Sequence, residues 1–600
     1  MKYKEVNLPR ILFFSTVICF IYLLYVSWMK WGNIVIDTPR EMWMPLQVLK
    51  GRVLYKDLAY EYGFLPPYLL SFVYRIFGVS VISLVGVGIT VTVLMTALLY
   101  KISRFFLNEI FSFLVIVTFM FVFAFGHYSG GIFNFILPYS FASTFFMLFT
   151  ASSLYFFLEF IVSEKRKHLL LWGVSLILSF LCRPDMSIPV WAGFVFIGEI
   201  FIFKTRKKIW RFNLYFIAPL LISILCYILF IIKMQALEGF KGSIIELVTF
   251  GITKNDAFVS NMIGLNNIGF NISLIVKSFV LHLIVILLIG AGSIAVSSFF
   301  LNKKEESNIT LPLIGLVVIT AAFMLGYNLL AINFLQYRCM VLLLIIGAGV
   351  FFVKTFTGPD FKKNISCLLL FVISILTITR IIFKTLPYGY GFYMLDLSLI
   401  CYYVFFFRII KNIVRKLRIN NFSMNFFLSV LACLFLFLIS TYWSISSYVY
   451  AHKNVKINTN MGSIFCFPVQ GTLRYWEAVE YIRNNVPDDA AVVVVPEGVG
   501  INLFTSRKNP SRYYSFVPPV CIRIGEGNII AELNRYNIDY FVIVHRTTAE
   551  YGYPFFGVDY GKKIFSWINE HYEVIKQFGP MPFTSKEFGV AVLKRKVIQN

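Results

Sequence analysis

The chain has 600 residues, of which 58% are hydrophobic and 18% aromatic. Soluble domains contain about 45–50% apolar residues, so this composition excludes an ordinary water-soluble fold. The formal net charge of +24 would suggest a nucleic-acid partner in a soluble protein. Here the basic residues lie in short gaps between apolar runs, and no nucleic-acid binding is expected. The nine cysteines occur without a C-x-x-C pair, which predicts neither a zinc site nor a disulfide framework.

Apolar runs of about 18–25 residues, the length that crosses a bilayer, recur along most of the chain. The first run, 11–29, follows Lys2, Lys4 and Arg10 and has no small-residue cleavage site. It is therefore predicted to be a retained anchor rather than a signal peptide. About thirteen transmembrane helices are predicted, near 11–29, 79–100, 105–126, 140–162, 169–183, 187–203, 212–233, 272–299, 309–332, 337–355, 365–383, 391–410 and 422–444.

The basic residues indicate an orientation for these spans. Clusters lie in alternate gaps, at 163–168, 204–211 and 408–418. The positive-inside rule assigns such gaps to the cytoplasm, which predicts a cytoplasmic N-terminus and an external tail after residue 444. Because the internal gaps are short connectors, the active site is expected at the outer face, in the external segments 30–66 and 234–271 and in the tail.

The tail changes to a soluble-domain pattern, which predicts two domains, 1–444 in the membrane and 445–600 outside it. Strands are predicted at 490–498, 538–544 and 589–595, alternating with helices at 471–486, 526–536 and 560–571. Strands that alternate with helices indicate an α/β layer of predominantly parallel strands. The predicted fold class is thus a polytopic α-helical membrane protein with a C-terminal extracytoplasmic α/β domain.

The first external loop carries unusual charge beside a membrane surface. Asp37 follows the first span after only a few residues, where a carboxylate is costly unless it is hydrated, paired or used. The apolar residues between Trp43 and Leu49 predict a short interfacial helix, and 66–77 predicts a second one. Two such helices would wall a cavity that is open to lipid.

The same loop resembles a known family. An acid after the first span, Arg40 three residues later, and a Gly-x-x-x-Tyr-x-Asp element (Gly51, Tyr55, Asp57) precede the sequence YGFLPPYL. This pattern resembles the first external loop of bacterial GT-C glycosyltransferases, in the dolichyl-phosphate-mannose mannosyltransferase and aminoarabinose transferase group. Further segments fit the same group less specifically: 133–144, 183–189, 496–516 and 550–561.

The resemblance implies an activity and a location. It implies a GT-C-like enzyme of a bacterial plasma membrane that moves a sugar from a polyprenyl-phosphate donor, with inversion, to an envelope lipid, glycan or protein acceptor. Such a donor needs no nucleotide site, and neither G-x-G-x-x-G nor G-x-x-x-x-G-K-[ST] occurs in the sequence. No cofactor is expected. With few acids and no clustered histidines, no tightly held metal is expected either.

The resemblance also implies candidate site residues in the first loop. Asp37 matches the family's acidic position and is the candidate general base or acceptor-orienting carboxylate; the alternative is a hydrated residue paired with Arg40. Glu41 shares a helical face with Asp37 and is a second substrate-binding candidate or a solvated neighbour. Tyr55 and Asp57 match the family element and are either substrate-binding or structural turn residues.

Three arginines are candidate phosphate ligands: Arg40 in the loop, and Arg183 and Arg338 outside it. Arg183 and Arg338 each stand at the outer end of an apolar span, where a charge tends to face the protein interior. A guanidinium group can bind a phosphate through two hydrogen bonds. Two departures from the family leave metal use and phosphate contacts open: no acid lies between His127 and Ser140, and no lysine stands just before the Pro66–Pro67 pair.

Two other function classes stay open at this point. A transporter or flippase of a lipid-linked glycan would also use a basic outer cavity, but the spans show no pair of matching halves with broken helices. A non-catalytic assembly or sensor protein would use the tail as a binding module. The intact acidic first loop favours the enzyme over this last class.

Overall fold

The computed structural model describes residues 8–128, 131–205, 209–237, 257–301, 337–411 and 421–597. Within these ranges, eight helices are long and apolar enough to cross a membrane. Helical segments occupy every predicted span that falls in the described ranges, and the span predicted at 309–332 lies outside them. The polytopic helical fold with a C-terminal α/β region is confirmed.

The helices up to the tail are α1 (Leu8–Ser27), α2 (Asp37–Leu49), α3 (Leu65–Phe77), α4 (Val81–Arg104), α5 (Glu109–Thr118), α6 (Phe141–Ser163), α7 (Arg166–Cys182), α8 (Pro184–Thr205), α9 (Ile209–Met234), α10 (Ala257–Ile263), α11 (Ile268–Leu301), α12 (Met340–Thr357), α13 (Phe361–Thr377), α14 (Gly391–Met394), α15 (Asp396–Val404) and α16 (Asn421–His452). Helix α6 lies at the centre of the bundle, with 67% of its span buried, whereas only 11% of the span of α1 is buried. A helix that is apolar on all sides and largely exposed fits a lipid environment, so α1 lies at the periphery.

The two helices predicted in the first loop are present as α2 and α3. Pro66 and Pro67 stand at the start of α3, where a proline loses no helical hydrogen bond and its fixed φ suits the first turn. Helix α2 buries Met42, Trp43 and Met44 and packs on α3. Its first residue is Asp37, so packing of the apolar face of α2 sets the position of that carboxylate.

The tail contains an antiparallel hairpin and a four-stranded sheet. Its elements are β1 (Val455–Thr459), β2 (Gly462–Cys466), α17 (Gln470–Asn485), β3 (Val492–Val495), α18 (Gly500–Thr505), α19 (Pro518–Ile524), α20 (Glu526–Leu533), β4 (Tyr540–Val544), α21 (Lys562–His571), β5 (Tyr572–Phe578) and β6 (Val590–Arg595). The sheet has the order β3-β4-β6-β5, in which only β3 and β4 are parallel.

The prediction of predominantly parallel strands is therefore wrong. Strand β5 was missed because it follows α21 directly and exposes most of its side chains, so it lacks the alternating apolar pattern of a half-buried strand. Residues 579–589 then turn the chain back, and β6 pairs with β5 in the antiparallel direction. An antiparallel neighbour needs no helical crossover, whereas a parallel neighbour usually does.

The tail packs tightly against the first loop. A Cβ atom on Gly500 would lie 2.3 Å from the carbonyl oxygen of Ile34 and 3.1 Å from Pro39, which flank Asp37 on either side. Nearby, the Arg52 guanidinium donates hydrogen bonds to the carbonyl oxygens of Asn509 and Ser511, at 3.1 and 2.9 Å. The tail thus fixes the start of α2.

This contact yields a stability prediction. Gly500→Ala should lower the free energy of unfolding by about 1–3 kcal/mol, because the added methyl group overpacks a closed contact. Gly527→Ala is the matched control: Gly527 also lies in a helix, but nothing stands within 4 Å of the point that a Cβ atom would occupy there. At that position alanine should raise the free energy of unfolding by about 0.4–1 kcal/mol, because alanine leaves the unfolded chain fewer conformations than glycine does. Thermal unfolding in detergent tests both variants, and equal shifts would contradict the tight docking at Gly500.

Candidate active site

A cavity of about 520 Å³ lies where the membrane helices, the first loop and the tail meet. This volume falls in the range of roughly 300–1,000 Å³ that is usual for small-molecule sites. Its charged lining residues are Asp37, Glu61, Asp185, Glu497 and Glu550, together with Arg40, Arg183, Arg380, Arg523 and Arg546. Five carboxylates face five guanidinium groups, so a charged ligand must be recognised by local contacts rather than by the net charge of the cavity.

Asp37 is a partly exposed carboxylate at the first-loop side of the cavity, which Glu61 of the same loop also lines. Its side chain is 28% exposed, and its Oδ1 atom lies 3.8 Å from Nη2 of Arg40. Position at the first turn of α2 favours a negative charge through the helix dipole. Burial nevertheless raises the pKa of Asp37, an effect that Arg40 and Arg546 partly offset. A carboxylate with a raised pKa is a stronger proton acceptor than a free aspartate.

Arg40 and Glu41 hold the start of α2 in place. The Arg40 guanidinium donates to the carbonyl oxygen of Tyr139 and lies 3.4 Å from the Glu41 carboxylate. Glu41 is 6% exposed and accepts a 2.8 Å hydrogen bond from the backbone N–H of Phe141. Arg40 lines the cavity, whereas Glu41 lies behind it. The contacts of Glu41 therefore join α2 to the first turn of α6.

Glu41 gives a pH-dependent prediction. Burial raises the pKa of its carboxyl to about 7, so the folded state holds a proton that the unfolded state releases near pH 4.5. Wild-type stability should therefore fall as the pH rises between these values. Glu41→Gln keeps a side chain that is neutral throughout, so its stability relative to wild type should increase from pH 4.5 to 7 and then level off. Thermal unfolding across this range measures the difference, and a constant difference would contradict the raised pKa.

Arg183 is paired rather than solitary. Its Nε and Nη2 atoms bind both carboxylate oxygens of Asp185, at 3.1 and 2.9 Å, and its Nη1 atom binds the Ser143 hydroxyl at 2.9 Å. Its guanidinium also lies over the ring of Tyr62. Asp185 accepts a further contact of 2.7 Å from Arg380. Because Arg380 is 30% exposed and Arg183 only 2%, Arg380 presents the more accessible guanidinium to the cavity.

The other predicted site residues stand outside the cavity lining. Tyr55 has a φ of 67° and donates its hydroxyl hydrogen to the carbonyl oxygen of Tyr62. Asp57 accepts a 2.8 Å hydrogen bond from the backbone N–H of Val53, which stabilises the loop turn. Arg338 is buried and donates to Asn271 and to the carbonyl oxygen of Phe383. The structure thus brings Asp37, Arg40 and Arg183 to one cavity and places these three elsewhere.

The tail supplies charged residues that sequence reasoning did not single out. Nε of Arg546 lies 3.3 Å from the Glu497 carboxylate, and its Nη2 atom forms an ion pair with Glu550. Burial raises the pKa of Glu497, while Arg546 opposes the shift. The segments 496–516 and 550–561 carried the only signal for these acids, through the family resemblance. Across the described ranges, no group of three or more His, Cys, Asp or Glu residues could hold a metal ion; metal independence stays a prediction.

Comparisons with known proteins find similarity in structure only. No protein-family model and no curated protein matches the chain. The apo oligosaccharyltransferase of Archaeoglobus fulgidus is similar with a TM-score of 0.49 and 12% identity, over 90% of this chain and 70% of that one. ArnT of Cupriavidus metallidurans, bound to undecaprenyl phosphate, is similar with a TM-score of 0.43 and 10% identity, over 96% of this chain and 97% of that one. Both neighbours are glycosyltransferases of the GT-C fold. At such identities and TM-scores the likeness assigns no chemistry, which has to come from the cavity itself.

Proposed function

We propose that the protein is a membrane glycosyltransferase with Asp37 as its general base. One observation carries the proposal: a partly exposed carboxylate of raised pKa faces a cavity between apolar helices and the tail. A base in that position can take the proton of an acceptor hydroxyl or amine as it attacks the anomeric carbon. The first-loop resemblance supports the same assignment.

The donor in this proposal is a polyprenyl-phosphate sugar. As the new glycosidic bond forms, the bond between the anomeric carbon and the phosphate oxygen breaks, and its electron pair leaves on the lipid phosphate. Attack from the opposite side inverts the anomeric configuration. Arg380, Arg183 and Arg40 line the cavity, and guanidinium groups stabilise the charge that develops on a leaving phosphate. Arg380 is the best placed of the three because it is the most exposed.

The proposal includes a cellular location and a separate role for each of the two parts of the chain. The enzyme would lie in a bacterial plasma membrane with its N-terminus in the cytoplasm and its tail outside, as the distribution of basic residues indicates. Residues 1–444 would bind the donor lipid, and residues 445–600 would complete the acceptor side. An envelope lipid, glycan or protein is the acceptor in this scheme. The contacts of Arg52 and Gly500 with the opposite domain support a site that needs both parts.

A transfer assay tests the proposal. Purified protein in lipid vesicles is incubated with a panel of radiolabelled polyprenyl-phosphate sugars and a total envelope extract. Movement of label from the lipid to an extract component, with inverted configuration, is the expected result. Label that crosses the vesicle bilayer without leaving its lipid would instead establish a flippase. Label that stays in place with every donor would reject both activities.

A further inference from the structure

The charged residues that the tail adds to the cavity follow the carboxyl ends of two strands of its sheet. Strands β3 and β4 are parallel, with Val495 opposite Ile543. Glu497 follows the end of β3, and Arg546 follows the end of β4, so the two side chains leave the sheet at neighbouring carboxyl ends. Both side chains line the cavity, so this edge of the sheet is the one that faces it.

Glu497, Arg546 and Glu550 form a connected polar chain at this edge. Arg546 contacts both carboxylates, and the Ser515 hydroxyl lies 3.4 Å from Glu497. The three charged side chains are 12, 27 and 32% exposed. A carboxylate can accept about four hydrogen bonds, so these contacts leave acceptor capacity for a ligand. Alternating acceptors and donors of this kind match vicinal hydroxyl groups, which both donate and accept.

Aromatic rings lie beside the polar chain. Tyr551 and Tyr514 both line the cavity. The ring of Tyr551 is fixed by stacking on Phe258, at a centroid distance of 5.0 Å, and the hydroxyl of Tyr514 donates to Glu61 at 3.1 Å. A tyrosine offers an apolar face together with a polar edge. Such rings suit the apolar face of a pyranose whose hydroxyls reach the neighbouring carboxylates.

We propose that Glu497, Arg546 and Glu550, with Tyr514 and Tyr551, form a carbohydrate subsite that binds the acceptor. The proposal rests on the proposed function and narrows the acceptor to a sugar residue of a glycan. The tail also lines the cavity with the apolar side chains of Val517, Val520 and Ile524, which suit the apolar face of a sugar ring. The ion-pair chain supplies the donors and acceptors that the hydroxyl groups of a sugar need, whereas a fatty-acyl chain has no groups that would use them.

Binding is measured first, without any donor. Saturation-transfer NMR on the detergent-solubilised full chain uses a panel of methyl hexosides as probes. We expect saturation of at least one probe by wild type and by Glu477→Gln, an exposed glutamate of the same domain. Glu497→Gln and Glu550→Gln should lose the signal while thermal unfolding shows that they fold. If wild type saturates no methyl hexoside, or if Glu497→Gln binds as well as wild type, the subsite is rejected.

Kinetics then separates this subsite from the reaction itself. Loss of a hydrogen bond to a charged group should raise the KM for the acceptor about ten- to a hundredfold in Glu497→Gln, with less than about a twofold change in the KM for the donor. An unchanged acceptor KM, or transfer by wild type to a peptide or phospholipid with no sugar acceptor, would overturn the inference. If wild type uses no donor at all, the glycosyltransferase proposal fails, and the NMR result still decides whether the tail binds sugar.

Discussion

Asp37→Asn should lower the rate of sugar transfer by about 10²–10⁴-fold, the contribution that a positioned general base makes. Asparagine keeps the size and shape of the side chain but cannot accept the proton. The loss should appear in kcat, because the substrate contacts of Arg40 and Arg380 remain. Single-turnover transfer from a radiolabelled polyprenyl-phosphate sugar measures the chemical step directly.

Two comparisons make this result specific. Asp489→Asn changes an exposed aspartate in a turn of the tail and should leave transfer unchanged. Wild-type transfer should fall as the pH drops through an apparent pKa above the ordinary value of about 4, because burial raises the pKa of Asp37 and the carboxylate form is required. Full activity in Asp37→Asn would assign the base to another carboxylate of the cavity.

Arg183→Met should destabilise the protein by about 3–5 kcal/mol, the cost of removing one partner of a buried ion pair. Methionine preserves much of the side-chain volume, so the decrease in the free energy of unfolding comes mainly from removal of the charge. Asp185 would keep only its contact with Arg380, and the Ser143 hydroxyl would lose its donor. Thermal unfolding in detergent, followed by tryptophan fluorescence, measures the shift.

A double variant and a surface ion pair test whether the destabilisation comes from breaking a buried ion pair. Arg183→Met with Asp185→Asn removes both charges, and this double variant should be more stable than Arg183→Met alone. Lys362→Met breaks the pair with Glu164, whose side chains are 46 and 33% exposed, and should cost only about 0–1 kcal/mol. Equal effects of Arg183→Met and Lys362→Met would mean that burial does not strengthen the Arg183 pair.

The sequence predicted those features that a local pattern determines. The length of the apolar runs predicted the spans. The residues between Trp43 and Leu49 predicted α2, because the buried face of a helix places apolar residues at helical spacing along the sequence. Proximity to the first span singled out Asp37 and Arg40, which both line the cavity. The surroundings of Arg183 could be predicted only in part, because Asp185 lies two residues away, whereas Arg380, which shares that carboxylate, lies at the end of another predicted span.

The rest of the cavity depends on contacts between distant segments. Arg546 influences the pKa of Asp37 although the two are separated by most of the chain. No pattern near either residue records that contact. Glu497 and Glu550 carried only a segment-level resemblance. Glu497 meets Arg546 through the parallel register of β3 and β4, whereas Glu550 lies four residues after Arg546 in the same segment. Local sequence encodes elements, whereas tertiary packing assembles the site.

The walls of the cavity come from residues as far apart as Ile36 and Tyr551, which has a consequence for biosynthesis. Helix insertion begins with α1, long before the ribosome reaches Arg546. During translation the first loop is therefore made long before the tail residues that line the cavity with it. The cavity is complete only when nearly the whole polypeptide has been made. A nascent chain that stops before β4 would lack Arg546, Glu550 and Tyr551 of the cavity lining. Completion of the polypeptide is therefore the step that assembles the surroundings of Asp37.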